Sequence, residues 1–199
     1  MKTLLISLMV SVGLMSAAHA GNIEAGKAKS VTCAACHGAD GNSLAPAFPK
    51  IAGQGEKYFI KQVTDMRDGR RNVPEMTAFV MGLSDEDIAD LAAYYGSQAA
   101  TNGRANEELV ELGQRIYRAG IESKGIPACI ACHGPTATGY DAAGFPRLAG
   151  QHEAYTVKQL NDFSMKRRDN DMNAMMRDIA QRMHPTEIEA VSSYLQGLY

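Results

Sequence analysis

Apolar positions fall along this chain in two kinds of run. One is nearly continuous: Leu4 to Leu14, broken only by Ser7, Ser11 and Gly13. The others recur at helical spacing. Glu56 to Asp68 carries Tyr58, Phe59, Val63 and Met66, and Glu153 to Arg167 carries Tyr155, Leu160 and Phe163. That recurrence predicts two amphipathic helices, the first ended by Gly69. A helix from about Ile23 runs toward Cys33, and Leu109 to Arg118 does the same further on. A last pair of helices has clear ends. Ser84 with Asp87 three residues later is close to a capping box and Gly96 stops that helix, while its counterpart has Pro185 in the first turn and Gly197 near the end. Strand-like alternation is scarce, and residues 38–54 and 134–151 are rich in Gly, Pro and Ala. The pattern predicts an all-α chain whose connections are loose for its helix content, so something further must fill the middle of each half.

The halves are copies. Ala47 to Asp65 (AFPKIAGQGEKYFIKQVTD) matches Gly144 to Asp162 (GFPRLAGQHEAYTVKQLND) at a constant offset of 97, pairing Phe48/Phe145, Pro49/Pro146, Gly53/Gly150, Gln54/Gln151, Tyr58/Tyr155 and Gln62/Gln159. The match persists to Arg70-Arg71 against Arg167-Arg168. Leu83 onward matches Met183 onward at an offset of 100, and Gly26 corresponds to Gly113. Two copies at this period are tandem domains, not a solenoid. The boundaries expected are 21–98 and 107–199, with residues 99–106 in the small, polar, Gly-containing linker between them.

Residues 1–20 stand apart. Lys2, the apolar run and Ala18-His19-Ala20 have the layout of a cleaved export signal, with Gly21 as the new N-terminus. The rival reading is a membrane anchor, but the run is shorter than the roughly 20 residues that span a bilayer. A soluble, exported mature chain is expected. Losing Lys2 moves the formal net charge from −2 to −3, and no basic block suggests nucleic acid or an anionic membrane.

Export would ordinarily make four cysteines two disulfides. Here they form two close pairs, each followed at once by histidine: Cys33-Ala-Ala-Cys36-His37 and Cys129-Ile-Ala-Cys132-His133. This is the attachment pattern of c-type haem. Two cysteines three apart present both sulfurs along one porphyrin edge, and the next residue, histidine, can ligate the iron. A four-cysteine zinc site would have to be split between the repeats, a thioredoxin-type pair needs a βαβ setting, and disulfides leave the histidines unexplained. Two covalent haem c groups are expected, one per domain, each supplying apolar mass that a chain without tryptophan otherwise lacks.

The second axial ligand is chosen by the repeat. Of eight mature methionines, Met76 lies eight residues before Ser84 and Met176 eight before His184, its equivalent. No other methionines pair in this way. Met172 and Met175 remain rivals in the second domain, and Met183, opposite Leu83, reads as core. Ligation by His37 with Met76 and by His133 with Met176 leaves no open position for oxygen or peroxide, which suits electron transfer and argues against catalysis. His152 and His184 read as surface or capping residues. The recurring arginine pairs and Tyr58/Tyr155 read either as propionate partners or as solvated helix ends.

With these stretches in hand, the chain resembles the cytochrome c4 family, the two-domain diheme c-type cytochromes. The resemblance rests on CAACHGADGNSLAPAFPKIAGQ, on EMTAF with the following LSDEDIADLAAYY, and on PACIACHGPTATGYDAAGFPRLAGQHEAYTVKQL. It implies two cytochrome-c-like domains about a pseudo-twofold axis, with the haem edges and propionates facing across the interface. It also implies a periplasmic, sometimes membrane-associated, carrier taking electrons toward a terminal oxidase from partners such as a quinol-oxidising complex, with no small-molecule substrate. The family's axial methionines fall on Met76 and Met176. The rival class is a diheme peroxidase, which needs one exchangeable sixth position.

Overall fold

A computed structural model describes residues 21–198, so the export signal expected over 1–20 lies outside the described residues. The first domain runs through α1 (Ile23–Lys29), α2 (Ala34–His37), α3 (Glu56–Arg67), α4 (Pro74–Val80) and α5 (Asp85–Gly96). The second repeats it as α6 (Glu107–Ala119), α7 (Ile130–His133), α8 (Glu153–Ser164), α9 (Met175–Ala180) and α10 (Pro185–Gly197). Among the described residues the only β pairing is two isolated bridges, Ile121 with Ile126 and Tyr140 with Phe145.

Local chemistry sets the helix ends. Asn22 Oδ1 accepts from the Ala25 amide at the start of α1. Ser84 and Asp87 close a reciprocal capping box on α5, and His184 with Glu187 closes one on α10, so His184 does cap. The helix expected over 153–167 ends earlier, at Ser164, because Lys166 takes a left-handed backbone conformation (φ 57°) before the chain turns.

In each domain the first long helix crosses the last: α1 packs on α5 and α6 on α10. Glycine permits the crossing. A Cβ on Gly26 would lie 2.0 Å from the Asp90 carbonyl oxygen, and one on Gly113 2.2 Å from that of Ala190. The third helix of each copy then packs against the last, and a small core forms between them. In the first domain it contains Phe59, Val63, Val80, Ile88 and Tyr95, and in the second Ile116, Tyr117, Val191 and Leu195.

The linker is held along both domains. Asn42 binds the Ala99 carbonyl and the Thr101 amide, while Gln196 spans Arg104 and the Glu153 amide. The domains themselves meet through polar side chains arranged with near-twofold symmetry. Arg71 donates to Tyr155 (3.1 Å) and Gln159 (3.0 Å) of the second domain, and Arg168 donates to Tyr58 and Gln62 of the first, both at 2.9 Å. Both arginines are buried, while Arg70 and Arg167 lie exposed against Asp65 and Asp162. The repeated pair thus divides its work: one arginine holds its own helix, and the other joins the domains.

Asp141 adds a cap across the interface. Gly55 has no side chain with which to cap α3, and Asp141 Oδ1 accepts from the Lys57 amide at 2.9 Å. Among the described residues no helix is long and apolar enough to cross a membrane.

Candidate functional site

Each Cys-x-x-Cys-His run is a single helical turn. His37 N–H bonds to the Cys33 carbonyl (3.0 Å) and His133 N–H to that of Cys129 (2.9 Å), so both thiols and the imidazole project from one turn. Gly38 and Gly134 end these turns with φ of 79° and 80°, a conformation glycine adopts freely. All four thiols are free and partly buried. Burial pushes the Cys129 thiol up to about 11, unlike the lowered value of a reactive redox thiol. Among the described residues no group of three or more His, Cys, Asp or Glu is placed so that it could hold a metal ion.

The histidines are oriented alike. His37 Nδ1 lies 2.8 Å from the Pro49 carbonyl oxygen, and His133 Nδ1 lies 3.0 Å from that of Pro146. A carbonyl oxygen only accepts, so Nδ1 carries the proton in both rings and the Nε2 lone pair is left for a ligand. Burial holds both imidazoles below the ordinary histidine value, which keeps them neutral.

The two methionine segments share a register and differ in the residues that precede them. Met76, in α4, packs half-buried on the same core as Cys33. Met176, in α9, is half-buried as well, and stands four residues before buried Ala180 as Met76 stands four before buried Val80. The following turns match, with Leu83 N–H bonding to the Val80 carbonyl and Met183 N–H to that of Ala180. Met175 is half-buried and corresponds to exposed Glu75, while Met172 is exposed. Met183 packs on the second core, as expected. The three extra residues before α9 force Asn173 and Ala174 into left-handed conformations, φ 52° and 57°, with no counterpart in the first domain.

A haem fits this donor set: two thiols and an imidazole on one turn, and a thioether at the matching place in each copy. Arg147 adds a second sign. Its Nε–H is buried at the interface without an acceptor, and a carboxylate such as a haem propionate would satisfy it.

Sequence reasoning missed four residues here: Pro49 and Pro146, whose carbonyls orient the rings, and Gln54 and Gln151, which bind backbone across the interface. All four are identical between the repeats, so the signal was present without a chemistry attached to it. His152, expected at the surface or as a cap, stands at the N-cap position of α8 without a side-chain cap bond, and its Nε2 lies 2.9 Å from the Ser43 carbonyl oxygen of the first domain.

Two domains of this build, each presenting one Cys-x-x-Cys-His turn, define a two-domain c-type cytochrome. Comparison with known proteins agrees. Residues 21–94 match the family model for the cytochrome C oxidase, cbb3-type, subunit III, and residues 110–199 match the model for cytochrome c. A cytochrome c4 of Pseudomonas aeruginosa is 50% identical over the whole of both chains. The crystal structure of reduced cytochrome c4 from Pseudomonas stutzeri superposes with a TM-score of 0.88 at 48% identity, covering 90% of this chain and all of that one. A thiosulfate dehydrogenase electron acceptor of Stutzerimonas stutzeri is 39% identical over 84% of this chain and 79% of its own. The chain belongs to the cytochrome c4 family. It is a diheme c-type cytochrome of electron transfer, carries two covalent haem c groups and works with redox protein partners.

Proposed function

We propose that the chain is exported by its first twenty residues and carries single electrons in the periplasm, from a quinol-oxidising complex to a terminal oxidase. Its working parts are residues 21–98 and 107–199, joined by 99–106. Cys33 and Cys36 attach one haem and Cys129 and Cys132 the other. His37 and Met76 hold the first iron, and His133 and Met176 the second. The haem, when bound, supplies a one-electron couple.

The chain's residues make that couple a carrier and not a catalyst. The Pro49 and Pro146 carbonyls fix each imidazole by its Nδ1–H, so Nε2 cannot swing away. The Met76 and Met176 thioethers would serve as neutral second donors to a bound haem, which would favour its reduced form and keep water and peroxide from it. The observation that carries this reading is the repeat itself: both copies hold the same orienting carbonyl and the same methionine register, so neither iron is left open.

The test is direct. The reduced protein, added to membranes from the cell that makes it, should be reoxidised at a rate that rises with protein concentration and stops when the terminal oxidase is inhibited by cyanide. No cyanide-sensitive reoxidation would remove the proposed acceptor. The relatives named as thiosulfate dehydrogenase electron acceptors favour a second donor, and thiosulfate-dependent reduction in the same extract would reveal it.

A further inference from the structure

Gln54 and Gln151 occupy equivalent positions just before α3 and α8, and each binds the other domain's backbone through both ends of its amide. Gln151 Oε1 accepts from the Lys50 N–H (2.9 Å), and its Nε2 donates to the Lys50 carbonyl (2.8 Å). Gln54 Oε1 accepts from the Arg147 N–H (2.8 Å), and its Nε2 donates to the Arg147 carbonyl (3.2 Å). Lys50 follows Pro49 and Arg147 follows Pro146. The N–H that each glutamine binds therefore belongs to the same planar peptide group as the carbonyl that orients a histidine.

Two crossed chains result. One runs from His37 Nδ1–H to the Pro49 carbonyl, through that peptide to the Lys50 N–H, and on to Gln151 Oε1. The other runs from His133 Nδ1–H through the Pro146–Arg147 peptide to Gln54 Oε1. Acceptance at the N–H end of a peptide draws electron density onto its oxygen, and linked hydrogen bonds strengthen one another in this way. A stronger bond at Nδ1–H makes the imidazole a stronger donor at Nε2, which favours the oxidised state of a metal held there.

We propose that Gln54 and Gln151 are positioning residues acting across the domain interface, each setting the ligand strength of the opposite domain's histidine and hence the potential of the opposite haem. The proposal rests on His37 and His133 being the iron ligands. It gives the family's two-domain architecture a specific use: separating or reorienting the domains alters both redox centres, and each domain tunes its neighbour.

The experiment uses the full holoprotein and the variants Gln151→Ala and Gln54→Ala. Gln151→Ala should move the His37 Nδ1–H proton resonance of the reduced protein upfield and leave that of His133 nearly in place. At a fixed ambient potential the ferric-to-ferrous ratio of the N-terminal haem should fall by up to about twofold, the size expected if about a tenth to a third of a neutral hydrogen bond is lost. Gln54→Ala should do the same to His133 and the C-terminal haem. Should an alanine variant fail to assemble, Gln151→Glu keeps the acceptor and the side-chain length, and it should move the His37 resonance downfield and raise the same ratio. Equal movement at both histidines, or movement only in the substituted domain, overturns the crossed relay. A separate arm isolates the underlying reading: if His37→Ala left the N-terminal haem low-spin with an unchanged spectrum, the ligand assignment would fall, whereas a lost ligand in His37→Ala combined with an unmoved His37 signal in Gln151→Ala removes the relay alone.

Discussion

Replacing Met176 with alanine is expected to open the C-terminal iron while leaving the N-terminal one six-coordinate. The substituted haem should turn high-spin in the oxidised protein, lose the long-wavelength charge-transfer band of methionine ligation, bind cyanide or imidazole readily, and drop in potential by on the order of 0.1 V, since a neutral thioether stabilises the reduced state. Met76→Ala should do the same to the other haem, so each variant loses about half of the band. The reason for choosing Met176 over its neighbours is register. It precedes buried Ala180 by the same four residues that separate Met76 from Val80, and the turns that follow carry the same backbone hydrogen bonds. Met175→Ala is therefore expected to leave the spectrum unchanged. If Met175→Ala opened the iron and Met176→Ala did not, the three-residue insertion would have shifted the ligand by one place.

The second large effect concerns folding. Alanine normally improves a helical glycine position by about 1 kcal/mol. At Gly26 and Gly113 the sign should reverse. The added methyl of Gly113→Ala would lie 2.2 Å from the Ala190 oxygen and 2.6 Å from the Tyr194 Cβ, and that of Gly26→Ala 2.0 Å from the Asp90 oxygen. These atoms belong to the partner helix's backbone or its first side-chain carbon and cannot rotate aside, so the crossing helices must separate. A cost of about 3 kcal/mol is expected, at the upper end of ordinary overpacking, with a fall in the melting temperature on the order of 10 °C for the domain concerned. Gly82→Ala is the control, because a Cβ there meets nothing within 4 Å. Melting followed by far-ultraviolet dichroism decides the matter, and a Gly113→Ala protein as stable as the parent would mean that the helices do not cross this closely.

Much of this is legible in the sequence, and for a physical reason. Duplication converts one ambiguous signal into two matched ones, so helix spacing, the histidine turns and the methionine register each carried their own check. Helix ends were readable where a cap is local, as with Ser84 and Asp87, and misplaced where the stop is a left-handed residue without glycine, as at Lys166. What escaped was chemistry made by partners distant in sequence. Nothing within the arginine pairs says that Arg71 turns inward to Tyr155 while Arg70 turns outward to Asp65. The asymmetric contacts escaped for the same reason: Asp141 caps a helix of the other domain, and His152 reaches Ser43. Backbone carbonyls carry no sequence signature either, so the bond from each histidine to a proline carbonyl was invisible, and with it the crossed glutamines that grip the same peptide.

The central claim is one haem per domain, each closed by histidine and methionine, passing electrons singly. It is tested most directly by a redox titration of the whole protein followed by optical and electron paramagnetic resonance spectra. Two one-electron steps are expected, with both ferric haems low-spin and the methionine charge-transfer band accounting for two irons. A titration in which one haem is high-spin at neutral pH, together with rapid turnover of peroxide, would contradict the carrier and point instead to a diheme peroxidase.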